Sequence, residues 1–416
     1  MMIMGKTGAL LAMMGALMGT YAHAQDDINY QGDAEALLEL IDTHYAYKDR
    51  FGGVNPARHA QGVDVESVSD SASLLDFAEC ALYALQDHHA IMGISSPRSL
   101  ALTPSYNDLW IEGREGQLYV SDVRDASPAQ QAGVQIGWQV LRIGDQDIDT
   151  AIDGLCGGPW TDDTARGFAA RVLVAGHRHQ MRNLQFRDLN GDIHTVSLTS
   201  LYDLPREETP PISVTTLEGD IRVLRFNDSL GQDDMVAAID EALAGPHPKG
   251  IIIDLRDTAS GGNTLVARAL MGRLIDETQF YQRHSLPQME WYYGVARQWA
   301  EEVTPRGQSL AGIPVVVLAG RWTGSMGEGL TMGLDQVADA TIIGAPMAGL
   351  LGAITDNPLA NTGWIVKLPT EKLFHVDGTP REDFVADIVL TSADERNDAG
   401  EDLALAQALA WFVNQD

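Results

Sequence analysis

The chain has 416 residues, with 58 acidic and 28 basic side chains and a formal net charge of −30 at pH 7. A charge of this sign and size disfavours binding to nucleic acid and to anionic membranes, and it favours solubility. The length is sufficient for two or three domains. We therefore expect a multidomain protein without nucleic-acid partners.

Residues 1–24 have the pattern of a cleavable signal peptide. A start with the basic Lys6 precedes an apolar run over residues 9–18, and Ala22-His23-Ala24 is an A-x-A cleavage site. The apolar run is shorter than the roughly 20 residues that cross a bilayer. We expect cleavage after Ala24, a periplasmic or secreted protein, and no stable membrane insertion of the mature chain. The alternative is an amino-terminal membrane anchor.

Two helices are predicted in the amino-terminal helical region, residues 25–104. Apolar residues at helical spacing indicate helices over residues 33–48 and 71–88, joined by a polar segment. The second predicted helix ends in Leu85-Gln86-Asp87-His88-His89. The two histidines therefore lie at a predicted helix C-terminus, where a charged imidazolium is favoured.

The sequence contains two cysteines, Cys80 in the second predicted helix and Cys156 in a glycine-rich segment. In an oxidising compartment these two residues could form a disulfide. Their spacing does not decide the matter, because Cys80 is equally suited to be a small core residue. No cluster of histidine, cysteine and carboxylate residues has metal-ligand spacing, so we expect no bound metal.

Residues 105–201 are predicted to form a β-rich domain. Paired strands are followed by a helix start at Ser127-Pro128-Ala129, by a strand that ends at Gly144-Asp145, and by a second helix over residues 161–175. This pattern resembles a PDZ domain, a fold that binds chain ends by adding a strand. The usual carboxylate-binding loop is not evident near residues 106–109. Peptide binding and a packing or gating role therefore both stay open.

From residue 208 to residue 416, strands alternate with helices, which predicts an α/β core. Residues 280–312 contain a group of aromatic residues that includes Trp291, Tyr292 and Tyr293. We interpret this segment either as a lid or substrate wall, or as a helix that packs on the core through its aromatic side chains.

Two strand ends in this core have the features of an acyl-transfer site. Ser325 follows an apolar strand and opens a helix, where a hydroxyl is exposed and negative charge is stabilised; the alternative is a serine that only caps the helix. Gly261-Gly262 ends another buried strand, and glycines allow backbone N–H groups to approach a ligand closely. We expect the backbone N–H groups of Gly261 or Gly262 and of Met326 to form an oxyanion hole.

The order of these motifs resembles the tail-specific, or C-terminal processing, family of serine proteases. The similar segments are Asp254-Leu255-Arg256 with the Gly-Gly turn, Thr323-x-Ser325-x-x-Glu328, the strand at 219–226 and the turn at 377–382. The resemblance implies a crotonase-like ββα core behind a helical region and a PDZ-like domain. It also implies a serine-type endopeptidase that cleaves unstructured polypeptides or C-terminal tails without a cofactor.

The general base differs from that of most members of this family. Leu350 occupies the position of the lysine in a Ser–Lys dyad, and a leucine cannot accept a proton; Lys367 and Lys372 are interpreted as surface charges. The tricorn-like branch places its catalytic histidine in a Leu-x-Asp-x-His motif, which matches residues 85–89. The resemblance therefore implies that His89 is the base for Ser325. With the usual histidine pKa near 6.5, activity is expected to rise with pH through an inflection at roughly 6 to 7.5.

The resemblance leaves open which group orients His89. The tricorn-like branch uses a serine beside the histidine and a distant glutamate; here His88 replaces the serine and Glu382 matches the glutamate. Because the lysine is absent and the serine is replaced, a second function stays open. This alternative is a catalytically inactive family member that acts as a peptide-binding or scaffold protein. The sequence does not indicate an oligomeric state.

Overall fold

The computed structural model describes residues 28–205, 209–391 and 401–414. The predicted signal peptide and residues 206–208, at the predicted boundary before the core, lie outside the described residues. The described residues form a mixed α/β protein with three β-sheets. Within these ranges, no helix is both long and apolar enough to span a bilayer.

The amino-terminal region contains two helices and one short strand: α1 (Tyr30–His44), α2 (Ser71–Tyr83) and β1 (Ile91–Met92). The predicted second helix was too long, because α2 ends at Tyr83 and the chain turns at Gln86, which has a φ of 49°. His88 and His89 therefore lie in a turn after the helix and not at its C-terminus.

The middle region forms an antiparallel sheet with two longer helices on it. Its elements are β2 (Leu109–Arg114), β3 (Gln117–Val123), α3 (Pro128–Gln131), β4 (Gln139–Ile143), β5 (Gln146–Asp147), α4 (Ile148–Gly154), α5 (Asp163–Ala175), β6 (Arg182–Arg187) and β7 (Ile193–Leu198). The strand order is β2-β3-β4-β6-β7, so β2 is an edge strand, and β5 pairs with β4. The apolar faces of the sheet and of α5 enclose a separate hydrophobic core.

The last region carries a six-stranded sheet whose strands are mostly parallel. Its elements are β8 (Ile212–Leu217), β9 (Ile221–Phe226), α6 (Met235–Ala242), β10 (Gly250–Asp254), α7 (Thr264–Met271), β11 (Gln279–Ser285), α8 (Pro287–Tyr293), β12 (Gln298–Val303), β13 (Val315–Ala319), α9 (Met326–Ala338), β14 (Thr341–Gly344), β15 (Ala353–Pro358), β16 (Ile365–Phe374), β17 (Ile388–Val389) and α10 (Leu403–Val413). The order of the six-stranded sheet is β17-β14-β13-β10-β9-β8, and only β8 runs antiparallel to its neighbour.

Both faces of this sheet are buried, as expected for strands with continuous apolar runs. Ile251 and Ile253 of β10 face α6, α7 and α9, whereas Ile252 faces α10 on the opposite side. The carboxyl ends of β10 and β13 lie side by side in parallel register. This pairing brings the Gly261-Gly262 turn close to the turn that carries Ser325.

A second sheet joins the amino-terminal region to the last region. Strand β1 pairs with β16, and β16 pairs with β15 and β11, which in turn pairs with β12. The helices α1 and α2 share a hydrophobic core with Leu351, Leu359, Val366 and Leu368. The residues after α2 are therefore held against the α/β core.

The aromatic segment at 280–312 forms a β-hairpin with the short helix α8 at its tip. Trp291, Tyr292 and Tyr293 are 40%, 57% and 71% exposed. The interpretation of this segment as a helix packed on the core by these aromatics was wrong, because α8 has no buried residue.

Candidate active site

Ser325 lies at the junction between β13 and α9, in a strained backbone conformation. Its φ is 51° and its ψ is −116°. A conformation of this kind costs roughly 1–3 kcal/mol for a residue other than glycine, and it persists only where the surroundings enforce it. Gly261 packs so closely that a Cβ at this position would lie 2.5 Å from Ser325 Cβ. The turn therefore projects the Ser325 side chain away from the helix and against the Gly-Gly turn.

The structure brings His89 to Ser325 across 236 positions of sequence. The distance between His89 Nε2 and Ser325 Oγ is 3.0 Å. On the other side of the ring, Nδ1 lies 2.7 Å from the carbonyl oxygen of Leu351. A carbonyl oxygen only accepts hydrogen bonds, so Nδ1 carries the proton and Nε2 accepts the hydrogen bond from the serine hydroxyl.

Burial sets the charge of this histidine. His89 is 7% exposed. Burial, and in second place the charge of Arg381, lower the pKa of His89 to about 4. The imidazole is therefore neutral at neutral pH, which is the state a general base requires.

Asp87, the acid of the Leu-x-Asp-x-His motif, fixes the backbone of this turn. Its Oδ1 accepts a hydrogen bond from the His89 backbone N–H at 2.9 Å, and its Oδ2 accepts one from the Tyr45 hydroxyl at 3.1 Å. Burial raises the pKa of Asp87 to about 6. Asp87 therefore places the backbone of His89 and is not bonded to its ring.

Two backbone N–H groups beside Ser325 are free to donate. Within the described residues, the N–H groups of Gly262 and Met326 have no hydrogen-bond acceptor. The prediction for Gly261 needs correction, because its N–H donates to the Thr258 carbonyl at 2.9 Å and is occupied. The tight turn at Thr258–Gly261 uses this N–H, and Gly261 instead provides the space that Ser325 occupies.

His88 does not take the predicted orienting position. Its Nε2 accepts a hydrogen bond from Arg171 Nε at 3.0 Å, and its ring stacks on Phe168 with a centroid distance of 4.4 Å. Burial, and then the charge of Arg171, lower the pKa of His88 well below its usual value. Because neighbouring side chains leave this turn in different directions, His88 faces the middle region while His89 faces Ser325.

Glu382 is also not bonded to the candidate base. It lies in the turn Arg381–Asp383 and lines a cavity between the middle region and the core. Burial raises the pKa of Glu382. The neighbouring Arg381 reaches the site instead: it donates to the carbonyls of Leu350 and Gly352, the latter at 2.9 Å.

Leu350, at the position that the resemblance assigns to a dyad lysine, is buried. Its side chain belongs to a buried cluster with Trp110, Ala259, Trp322 and Ala348. Lys367 and Lys372 instead pair with Asp356 and Asp49, at 2.8 Å and 2.7 Å. Neither of these two lysines contacts Ser325.

Sequence reasoning gave no role to Glu328, which is 1% exposed. Its carboxylate accepts backbone N–H groups from Ser325 at 2.8 Å, from Gly349 at 2.9 Å and from Leu350 at 3.2 Å. The spacing Ser325-x-x-Glu328 is that of a helix capping box, which is a signal that could have identified this contact. For Arg381 the sequence offers no comparable local signal.

Residues 219–389 match the family model of peptidase family S41. Comparison with curated proteins gives no match.

Two similar solved structures extend over nearly the whole chain. The photosystem II D1 C-terminal processing protease has 16% identity and a TM-score of 0.53, over 90% of this chain and 98% of that chain. Mature CPAF complexed with lactacystin has 16% identity and a TM-score of 0.58, over 93% of this chain and 99% of that chain. At these identities the likeness shows the fold.

The fold and the family match define a serine-type peptidase, a hydrolase that acts on peptide bonds. More specifically, residues 219–389, a little under half of the chain, are similar to peptidase family S41. The resemblance to the C-terminal processing proteases is thereby confirmed at the level of the family.

Proposed function

We propose that the protein is a serine endopeptidase that cleaves unstructured polypeptides or C-terminal tails, with Ser325 as nucleophile and His89 as general base. The single observation that carries this proposal is the 3.0 Å contact between His89 Nε2 and Ser325 Oγ. It lies within the range of a productive hydrogen bond between a nucleophile and its base.

In the proposed reaction, Ser325 Oγ attacks the peptide carbonyl carbon while His89 Nε2 takes the hydroxyl proton. The backbone N–H groups of Gly262 and Met326 donate to the oxyanion that forms. The imidazolium then gives its proton to the leaving amine as the C–N bond breaks. Water that His89 activates hydrolyses the acyl-enzyme, and the proton returns to Ser325 Oγ. The Leu351 carbonyl accepts the Nδ1–H throughout and holds the required tautomer.

Residues 208–416 would form the crotonase-like ββα core, and residues 105–201 the PDZ-like domain. Strand addition to this domain is disfavoured at the edge strand β2, because α5 covers it. Arg171 Nη1 donates to the Ile111 carbonyl at 2.8 Å, and a Cβ on Gly113 would clash with the Asp163 carbonyl. These contacts favour a packing role.

Contacts between this domain and the catalytic turn support the same role. Glu112 forms an ion pair with Arg321, and the rings of Trp110 and Trp322 lie edge to face with centroids 6.4 Å apart. Arg321 and Trp322, the two partners in the α/β core, lie within four positions of Ser325. We infer that the middle domain braces the nucleophile turn.

A periplasmic or secreted location is part of the proposal. Cys80 and Cys156 form a disulfide. Disulfides persist in oxidising compartments, which agrees with the predicted cleavage of a signal peptide after Ala24.

The Ser325→Ala variant tests the proposal. It should lose peptide hydrolysis and labelling by a fluorophosphonate probe, while its thermal unfolding stays near that of the parent, because little packing is removed. His89→Ala should lose hydrolysis too, and Lys367→Ala should behave like the parent. Hydrolysis at the parental rate by Ser325→Ala would reject Ser325 as the nucleophile. A folded parent that neither cleaves nor becomes labelled would favour the scaffold alternative.

A further inference from the structure

The ring of His89 lacks the carboxylate partner that usually orients a catalytic histidine. Within the described residues, its Nδ1 bonds to the main-chain oxygen of Leu351 at 2.7 Å, and no carboxylate is bonded to the ring. A main-chain carbonyl moves with its loop, so it can orient the ring only if other contacts fix the position of the loop. The groups that hold residues 349–352 therefore determine the geometry of the base.

One buried side chain holds the N–H groups of this loop. Glu328 accepts the backbone N–H groups of Gly349 and Leu350, at 2.9 Å and 3.2 Å. The same carboxylate accepts the N–H of Ser325 at 2.8 Å. Glu328 thus ties the loop directly to the nucleophile.

A second buried side chain holds the carbonyl groups of the loop. Arg381 is 3% exposed, and its Nη2 donates to the carbonyl oxygens of Leu350 and Gly352. Its Nη1 lies 3.4 Å from the Ser325 carbonyl oxygen. Arg381 therefore donates to the carbonyl oxygens of Leu350 and Gly352, and the Leu351 oxygen between them accepts the hydrogen bond from His89 Nδ1–H.

We infer that Glu328 and Arg381 are positioning residues. Together they hold the Leu351 carbonyl where it orients His89, the role that a carboxylate has in a Ser–His–acid triad. Neither side chain is hydrogen-bonded to the His89 ring, and both act on it through the loop. This inference rests on the proposed function, because it assigns a reason for the placement of its general base.

The buried side chains of Arg381 and Glu328 also form an ion pair. Arg381 Nη2 and Glu328 Oε2 are 4.0 Å apart. Removing either charge leaves the other buried without its partner, which destabilises a protein. A test of positioning therefore needs a readout that loss of stability alone does not change.

The experiment compares Arg381→Lys and Glu328→Gln with the parent enzyme on a short peptide substrate. Lysine keeps the charge but cannot donate in the planar arrangement of a guanidinium. Glutamine has one acceptor oxygen, and its amide N–H groups would face a backbone N–H. We expect kcat to fall by up to about 10²-fold while KM changes little, because the base is displaced and substrate binding is not.

Arg273→Lys is the matched control. Arg273 is also buried, donates to the Gln308 carbonyl at 2.9 Å and pairs with Asp240 at 2.6 Å, and none of these partners is bonded to Ser325 or His89. This variant should lose stability and keep the parental kcat. If Arg381→Lys fails to fold, Glu328→Gln, which preserves the shape of the side chain, carries the test.

Proton NMR of protein with ¹⁵N-labelled histidine gives the second readout. The Nδ1–H signal of His89, identified by its loss in His89→Ala, should shift or broaden in Arg381→Lys and in Glu328→Gln but not in Arg273→Lys. A folded Arg381→Lys and Glu328→Gln pair with the parental kcat, or with an unchanged signal, would overturn the inference. Parental hydrolysis by Ser325→Ala would instead overturn the proposed function, so the two failures are distinguishable.

Discussion

Removal from water sets the protonation state of the ionisable side chains around Ser325. Burial lowers the pKa of His89 to about 4, and it raises the pKa of Asp87 to about 6 and that of Glu328 to about 7. In each case burial shifts the equilibrium toward the neutral form. At the residue scale, the site is therefore arranged for a base that is ready to accept a proton at any pH above its lowered pKa.

The pH dependence of activity follows from this shift. A base works only when it is unprotonated, so kcat/KM should rise as pH increases through about 4 and then level off. The inflection at roughly 6 to 7.5 expected from an unperturbed histidine is thus displaced downward. A pH series with circular dichroism at each point, to establish that the protein is folded, checks this. Because Glu328 has a pKa of about 7, the series is repeated with Glu328→Gln, and an inflection near 6.5 in that folded variant would contradict the prediction.

His88→Ala should separate the two neighbouring histidines. The change leaves the Nε–H of the buried Arg171 without its acceptor, so the free energy of unfolding should fall by about 1–3 kcal/mol. His88 is not bonded to His89 or Ser325, so kcat should stay within a few-fold of the parent. Chemical denaturation and steady-state kinetics measure the two quantities. A loss of kcat as large as that of His89→Ala would restore the orienting role to His88.

At the scale of elements, the edge strand β2 and the helix α5 connect the middle region to the catalytic turn. Arg171 of α5 donates to β2 and to His88, and its guanidinium lies over the Trp110 ring at 4.9 Å. Trp110 in turn packs against Trp322, three residues before the nucleophile. A peptide strand could bind only if β2 and α5 moved apart, and both elements make contacts that lead to the active site.

Trp110→Phe tests whether the middle region braces the site or delivers substrates. A smaller ring loosens the contact with Trp322, so kcat/KM should fall by the same factor for a short peptide and for an unfolded protein. Parallel assays on the two substrates measure the ratio. A loss confined to the unfolded protein would point to delivery of chain ends, and wild-type rates on both would exclude bracing through this contact.

The disulfide joins α2 to the middle region. Cys80 and Cys156 are 76 positions apart. On the chain-entropy account, closing a loop of this length stabilises the folded state by about 4 kcal/mol. The Cys80→Ala/Cys156→Ala double variant should therefore unfold at a lower temperature than the oxidised parent. Thermal unfolding with and without reductant checks this, and equal midpoints for the variant and the oxidised parent would refute it.

At the scale of the whole molecule, the described regions depend on each other for packing and, in the proposed mechanism, for catalysis. The family match covers residues 219–389, whereas His89 lies outside this segment. The amino-terminal helices cover Leu351, Leu359, Val366 and Leu368, and β1 adds a strand to β16. Leu351, whose carbonyl bonds to the His89 ring, is thus part of the core formed with the amino-terminal region.

Removal of residues 25–104 should therefore abolish activity and expose apolar surface. The Ser325→Ala full-length protein is the matched control, since it should be equally inactive but remain folded. Size-exclusion chromatography and binding of a hydrophobic dye distinguish the two. A truncated protein that is monomeric, binds no dye and hydrolyses peptides would contradict this account.

The local sequence determined much of this protein. Continuous apolar runs that end in glycine turns specified the strands β10 and β13, because a strand buried on both faces tolerates little else. The step from strand to helix identified Ser325, and the leucine at position 350 excluded a dyad lysine there. His89 was found only through the resemblance of its motif, since 236 residues separate it from the serine.

Only the tertiary structure decided which groups complete the site. Every residue has a carbonyl and nearly every residue has an N–H, so no side-chain pattern could select the Leu351 oxygen or distinguish Gly262 from Gly261. His88 replaced the serine of the family motif and Glu382 matched its glutamate, but the direction in which each side chain leaves its turn places them elsewhere. Glu328 and Arg381 gain their contacts because the fold brings the ends of β13 and β14 and the 381–383 turn together. Such long-range backbone contacts leave no periodic trace in the sequence.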